Sequence, residues 1–324
     1  MLPPPIFTEY REVCSLKPDL SAVIQQMAIL FLIIGIGYAA AKAKLFPQNT
    51  NRALAQLVIY ITNPCTVLYS VLGSERGLTN REVFLLTVIA VVFFAVVIGV
   101  GLILPRVLGC DARQRKLYAF MCTFSNMGFL GFPVVSALYG ADAVFYASIF
   151  NLIFQLVVYT YGVWLMQDGQ GAFRLHWRTF CTPIILASVV AYVCYLTDFS
   201  APAFAVKTLN MLANVTSPLC MLVIGVALAN VPVGKVFTNW RLYVINLVKL
   251  LVLPLLAYAL LHRAVSNQLI LGITVVIAAM PVATMSTILA AKYDADQELA
   301  ACGVFLSTLM SLATIPLVML VLFR

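Results

Sequence analysis

Charge is what this chain has least of. Charged residues make up 10% of the 324, and none of the 12 Asp and Glu lies deep in a long apolar run. That leaves no acidic proton relay and no carboxylate sodium site visible at membrane depth. Histidine is equally scarce: His176 and His262 fall near predicted helix ends and have no ligand spacing to each other. The eight cysteines form no Cys-x-x-Cys pair and adjoin no histidine cluster, so neither a disulfide framework nor a zinc site is expected. No Ser/His/Asp, Cys/His or metal-ligand constellation shares a common depth, which sets a membrane enzyme aside. No cofactor is expected. The polar, proline-rich opening lacks the basic end and short apolar core of a cleavable signal, so the first span is expected to direct insertion.

What is present is apolar length. Hydrophobic residues make up 63% of the chain and the mean hydropathy is +1.01, well above a soluble domain. The pattern predicts ten spans: 20–41, 53–72, 83–104, 117–139, 143–166, 183–196, 203–229, 242–261, 269–291 and 299–323. The third span, nearly all Val, Ile and Phe, is read as scaffold facing lipid. The formal charge of +8 resides in short loops between these runs, where topology explains it better than a nucleic-acid partner.

The two halves of the chain echo each other. Pro64 and Pro218 are 154 positions apart, and so are Asp142 and Asp296. Asn63-Pro64 in the second span is matched by Thr216-Ser217-Pro218 in the seventh, which is therefore expected to be similarly interrupted. The echo is imperfect in the fourth and ninth spans, where Pro133 and Pro281 are 148 apart. This reading gives a first five-helix repeat over 1–167, a short linker over 168–182 and a second repeat over 183–324. Twelve Lys and Arg, from Lys42 to Lys292, fall on one side and six on the other, with Lys207 and Lys249 inside spans completing the 20. The richer side is expected to be cytoplasmic, which puts both termini outside. Five spans per repeat is odd, so the repeats insert with opposite topology. Inverted repeats with interrupted helices in corresponding halves point to a secondary transporter with a site near mid-membrane.

The candidate site centres on Phe124–Pro133, where Gly128, Gly131 and Pro133 should interrupt the fourth span. An interruption in hydrocarbon is tolerated only where freed backbone groups are buried in protein or face a polar cavity. The bland alternative is a kink; Ser125 and Asn126 shift the reading toward a site, because their side chains bring hydrogen-bonding capacity to the break. Pro281 marks the corresponding break in the ninth span. Asn151 and Gln155, four apart on the fifth span, share a helix face and suit either a pathway lining or interhelical glue. Lys249 lies half-way along the eighth span. It is either functional or a scaffold residue that snorkels or holds a carbonyl.

Over essentially its full length the chain resembles the auxin efflux carrier family, in particular bacterial members without a large central loop. The most specific match is Ser125-Asn126-Met127-Gly128-Phe129-Leu130-Gly131-Phe132-Pro133, similar to the family's Asn-Thr-x-x-x-Gly-x-Pro stretch and followed by Tyr139-Gly140. Lys249–Pro254 and Phe305–Leu317 match more weakly. The resemblance implies an all-α membrane protein with about ten transmembrane helices in two inverted five-helix repeats, broken crossing helices 4 and 9, and a bile acid-sodium symporter-like fold. It implies scaffold and transport domains each built from both halves, and small organic anions as substrates, with Asn126 at the carboxylate-contacting position. Met127 replaces the usual threonine and the central connection is short, both departures from the plant carriers, so auxin itself is not expected; for bacterial members the resemblance implies small carboxylates such as malate or malonate. The expected partners are therefore a small carboxylate and the lipid bilayer, with a homodimer left open. The expected setting is a cell membrane, as in a bacterial inner membrane. An anion channel using the same helix dipoles is the alternative.

Overall fold

A computed structural model describes residues 20–45, 47, 50–73, 78–166, 182–231, 236–293 and 295–322. The linker expected over 168–182 lies outside the described residues except for Thr182, as does His176. The described chain is all-helical, with one isolated antiparallel bridge between Ser125 and Val282.

In chain order the helical segments are α1 (Leu20–Lys42), α2 (Thr50–Leu72), α3 (Asn80–Val107), α4 (Ala112–Thr123), α5 (Met127–Tyr139) and α6 (Ala143–Met166). They continue as α7 (Pro183–Thr197), α8 (Ala203–Ala229), α9 (Trp240–Leu261), α10 (Gln268–Ala278), α11 (Met285–Lys292) and α12 (Gln297–Leu322). Six of them, α2, α3, α6, α8, α9 and α12, are long and apolar enough to cross a membrane. Four shorter apolar helices, including α5 and α10, accompany these six.

Helix starts follow local chemistry. Thr79 caps α3 in a reciprocal capping box with Glu82, and the other Glu82 oxygen accepts from Asn267, the N-cap of α10. One carboxylate thus ties the starts of two distant helices together. Inside the helices, prolines follow widened turns. The π turns at Val58–Thr62, Met127–Gly131 and Val248–Val252 each end two residues before a proline: Pro64, Pro133 and Pro254. Proline lacks a donor and clashes with the carbonyl four residues back; a π turn relieves both by shifting pairing to i→i+5, as in Phe132 N–H donating to Met127 O. Pro133 therefore sits within α5 and does not end it. Pro218 also lies within a helix, since α8 runs unbroken from Ala203 to Ala229. The seventh span is continuous where the sequence suggested an interruption.

Packing divides the helices. α8 packs on α1 and α2, with α1 against α8 the most extensive pair, and α7 packs on α2; α3 to α6 and α9 to α12 pack among themselves, with α6 also meeting α2 and α7, and α12 and α5 also meeting α1. The α1–α8 approach depends on Gly37 and Gly225: a Cβ on Gly225 would collide with Ile34 O and lie 2.8 Å from Tyr38 N and 3.0 Å from Gly37 Cα. Without a hydrophobic force between helices in lipid, such close backbone contact supplies the packing. On α3, Phe84, Val88, Val91, Val92 and Ile103 face outward, whereas Val83, Leu86, Phe93, Phe94 and Val97 are buried against α4 and α6. One face of α3 is thus free for lipid, but the other is core.

Candidate functional site

The two interrupted stretches cross and bond to each other. α4 ends at Thr123, the chain extends through Phe124 to Asn126, and α5 begins at Met127. On the other side α10 ends at Ala278, and Met280 to Ala283 separate it from α11, whose N-cap is Thr284. Asn126 N–H donates to Pro281 O at 2.8 Å and Ala283 N–H donates to Phe124 O at 3.0 Å, while Val282 N–H donates to Ser307 Oγ of α12 at 3.1 Å. These bonds replace intrahelical ones that the breaks cost. The break therefore lies ahead of Gly128, Gly131 and Pro133 rather than on them. With Ser125 opposite Val282, 157 positions apart, the two crossings nearly keep the 154-residue spacing that Pro133 and Pro281 lacked.

Because both breaks are followed by a fresh helix, two helix N-termini meet at the crossing. In α5, Met127 N–H bonds to Ser125 O while Leu130 and Gly131 N–H both reach Asn126 O, which leaves the Gly128 and Phe129 N–H groups without a backbone acceptor. In α11, Ser286 and Thr287 N–H bond back to Ala283 and Thr284 O, which leaves those of Thr284 and Met285 free. All four residues line one cavity, together with Asn63, Ser125, Asn126, Asn151, Gln155, Tyr159 and Thr182. Among the described residues no charged side chain lines it. Asn126 is only 4% exposed, and its side-chain amide makes no hydrogen bond among the described residues. Buried, unpaired oxygens of Asn63 (Oδ1) and Gln155 (Oε1) add acceptors. Behind the cavity, Phe124 packs edge-on against Phe154 and at 4.4 Å from Phe120, fixing the extended segment.

The structure thus brings together Ser125, Asn126, Gly128, Asn151 and Gln155. Gly131 instead packs beneath the crossing near Ile277 and Met280, Pro281 contributes a carbonyl to the crossing, and Pro133 lines a different cavity. Polar lining residues that the sequence does not mark as site residues are Asn63, Tyr159, Thr182 and Thr284. Asn63 Nδ2 donates to Gly128 O at 3.2 Å; its signal was an amide beside a proline in mid-span. Thr284 carries no local mark except its distance of three residues beyond Pro281.

Lys249 lies outside the cavity lining. Fully buried at 0% exposure in the π turn of α9, it donates from Nζ to Cys122 O at 3.0 Å, one residue before the end of α4. A cation donor at a helix C-terminus complements the carbonyl end of the dipole. Lys249→Met should cost roughly 1.5–3 kcal/mol of stability, as loss of a bond from a charged donor does, and should lower the thermal midpoint of the purified protein. An unchanged midpoint with lost substrate affinity would place Lys249 at the substrate instead.

Free helix N-termini around an amide-lined cavity in an apolar helical bundle define a protein that handles solutes within a membrane. The sequence model of the membrane transport protein family matches residues 22–176 and 171–319, and the chain belongs to that family, which includes the auxin efflux carriers. It is 24% identical over 299 residues to an uncharacterized transporter of Methanocaldococcus jannaschii, covering 89% of this chain and 95% of that protein. It is 23% identical over 296 residues to the "Putative malonate transporter" of Rhizobium meliloti, covering 88% and 91% respectively. An uncharacterized transporter of Escherichia coli matches at 22% over 314 residues, covering 92% and 97%.

Proposed function

We propose that this protein is a carrier for small organic anions, chiefly carboxylates, which bind at the crossing and are exposed to the two sides of the membrane in turn. The observation that carries this reading is the convergence of four acceptor-free N–H groups and the free Asn126 amide on a cavity that has no charged side chain among its described lining residues. Each helix N-terminus is worth roughly half an elementary charge, so two together balance about one carboxylate. A dicarboxylate then enters with one carboxyl protonated, and the proton travels on the substrate. Among the described residues the lining holds no Asp, Glu or His, which accords with that route. The name of the Rhizobium meliloti relative makes malonate the first substrate to try.

In this reading α4–α5 and α10–α11 are two interrupted spans among ten, arranged as inverted repeats over 1–167 and 183–324 in a bile acid-sodium symporter-like fold. The group α1, α2, α7 and α8 is the scaffold against which the rest rocks, and the extensive packing of α8 on α1 and α2 and of α7 on α2 supports it. The Lys and Arg bias places both termini outside the cell membrane. A cysteine introduced before Leu20 should react with an impermeant thiol reagent in intact cells; protection there would invert every span.

The test of function is uptake of labelled mono- and dicarboxylates into proteoliposomes with and without a pH gradient. A carrier gives saturable uptake accelerated by unlabelled substrate inside. Ohmic single-channel currents without counterflow would favour an anion channel built on the same dipoles.

A further inference from the structure

A second cavity lies beside the first, lined by Thr66, Tyr69, Phe132, Pro133, Ser136, Ala141, Ala213, Asn214, Thr216 and Ser217. The two cavities share no residue but share helices. On α2, Asn63 lines the first and Thr66 the second; on α5, Phe129 lines the first and Phe132 the second. Three residues of helix rise about 4.5 Å, so along both helices the cavities are separated by less than one turn. Both helices continue from the first cavity to the second in the same sense, toward Leu72 and Tyr139. The second cavity reaches Ala141, beyond the C-terminal end of α5, whereas the first reaches Thr182 at the start of α7 and Ile288 midway along α11. The cavities thus lie toward opposite ends of the bundle.

We infer that the second cavity is the other half of the solute path, closed off in this conformation by a single layer of side chains. This rests on the carrier reading. The layer contains two hydrogen bonds between segments distant in sequence. Asn63 Nδ2 holds Gly128 O at 3.2 Å, and Thr66 Oγ1 meets Thr216 Oγ1 at 2.7 Å, joining α2 to α8. Phe132, buried on α5, lines the second cavity beside Thr66 and Thr216. Beyond the layer the lining turns hydroxyl- and amide-rich, with Ser136, Asn214, Ser217 and Tyr69, and it too carries no charged side chain among the described residues. Interhelical glue accounts for one paired Thr66–Thr216 contact, but it does not call for polar side chains from three helices around an open space. A water-filled vestibule for the same neutral-lined anion path does. The Thr66–Thr216 pair is then the closure on that side, and its loss lets the two cavities communicate.

The test is site-directed thiol labelling of the full-length protein, stripped of its own cysteines, in sealed vesicles of each orientation. Ser217→Cys and, on another helix, Ser136→Cys should react with a membrane-impermeant reagent from one face only. With no substrate present, so that the conformation described here prevails, Thr284→Cys, in the first cavity, should react only from the other. Adding Thr216→Val to the Thr284→Cys protein should create labelling from the face at which Ser217→Cys reacts. The inference is overturned if Ser217→Cys and Ser136→Cys are inert from both faces, if they share a face with Thr284→Cys, or if Thr216→Val leaves Thr284→Cys one-sided. Labelling needs no transport, so the two readings fail separately. One-sided labelling as expected without any carboxylate counterflow sinks the carrier reading, and counterflow with inert Ser217→Cys and Ser136→Cys sinks this one.

Discussion

Replacing Asn126 with alanine should weaken substrate binding about ten- to a hundred-fold while leaving the fold intact. The estimate is the roughly 1.5–3 kcal/mol lost with a hydrogen bond to a charged group. The fold should survive because the backbone of Asn126, not its side chain, makes the structural bonds: its N–H donates across the crossing to Pro281 O, and its carbonyl accepts from Leu130 and Gly131 N–H at the start of α5. The side chain is free to serve a ligand. Asn126→Asp should be worse near neutral pH, since it sets a like charge beside the bound anion. Residual transport in that variant should rise as pH falls through the titration of the new carboxyl, because the neutral acid donates where the ionised one repels. Concentration dependence of uptake at several pH values, with matched amounts of folded protein, measures both effects. Near-normal affinity in both variants would mean that the anion is held elsewhere.

The second large effect is on stability. Gly225→Ala should disrupt the α1–α8 pair, because the new methyl meets backbone atoms of Ile34, Tyr38 and Gly37 that no rotamer change can move aside. Overpacking of this kind costs about 1–3 kcal/mol and occasionally more. Gly35→Ala, on the same helix α1, is the control: nothing lies within 4 Å of its added Cβ. Thermal melts of the two purified variants in one detergent should separate clearly, with Gly35→Ala at or above the parent. Equal midpoints would mean that α1 and α8 are not packed through these glycines.

How much of this could be read from the sequence differs between scaffold and site. Span length is written in apolar runs, so Ala143–Met166 and Ala203–Ala229 coincide with α6 and α8 to the residue. The place of the break in the fourth span is not written locally. Gly128, Gly131 and Pro133 mark the stretch, but a π turn accommodates Pro133, and the chain leaves the helix at Phe124 because Ala283 and Pro281 bond there. Those bonds, Ala283 N–H to Phe124 O and Asn126 N–H to Pro281 O, span 159 and 155 residues, beyond the reach of local propensity. The same limit explains Pro218: beside a serine and a threonine it resembles a break, yet the helix passes through it while Pro64 has a π turn. Asn126, Asn151 and Gln155 were legible because an amide in an apolar run is conspicuous. Asn63 was as conspicuous but was taken only as half of an Asn-Pro pair. Thr284 became visible only when α11 was seen to start beside Asn126. For Lys249 the sequence left two readings open, and the acceptor on α4 that favours the scaffold reading is a tertiary contact.

The central claim is that a carboxylate sits against the free N–H groups of α5 and α11, and it is tested most directly by substrate protection of Thr284→Cys. The substitution keeps the backbone N–H at that position, and the thiol faces the cavity. Alkylation of this cysteine, in a protein otherwise without cysteine, should slow as malonate or another counterflow-active carboxylate is added. The half-effect should match the uptake affinity, and Asn126→Ala should shift it to correspondingly higher concentration. An alkylation rate indifferent to saturating substrate would contradict the account.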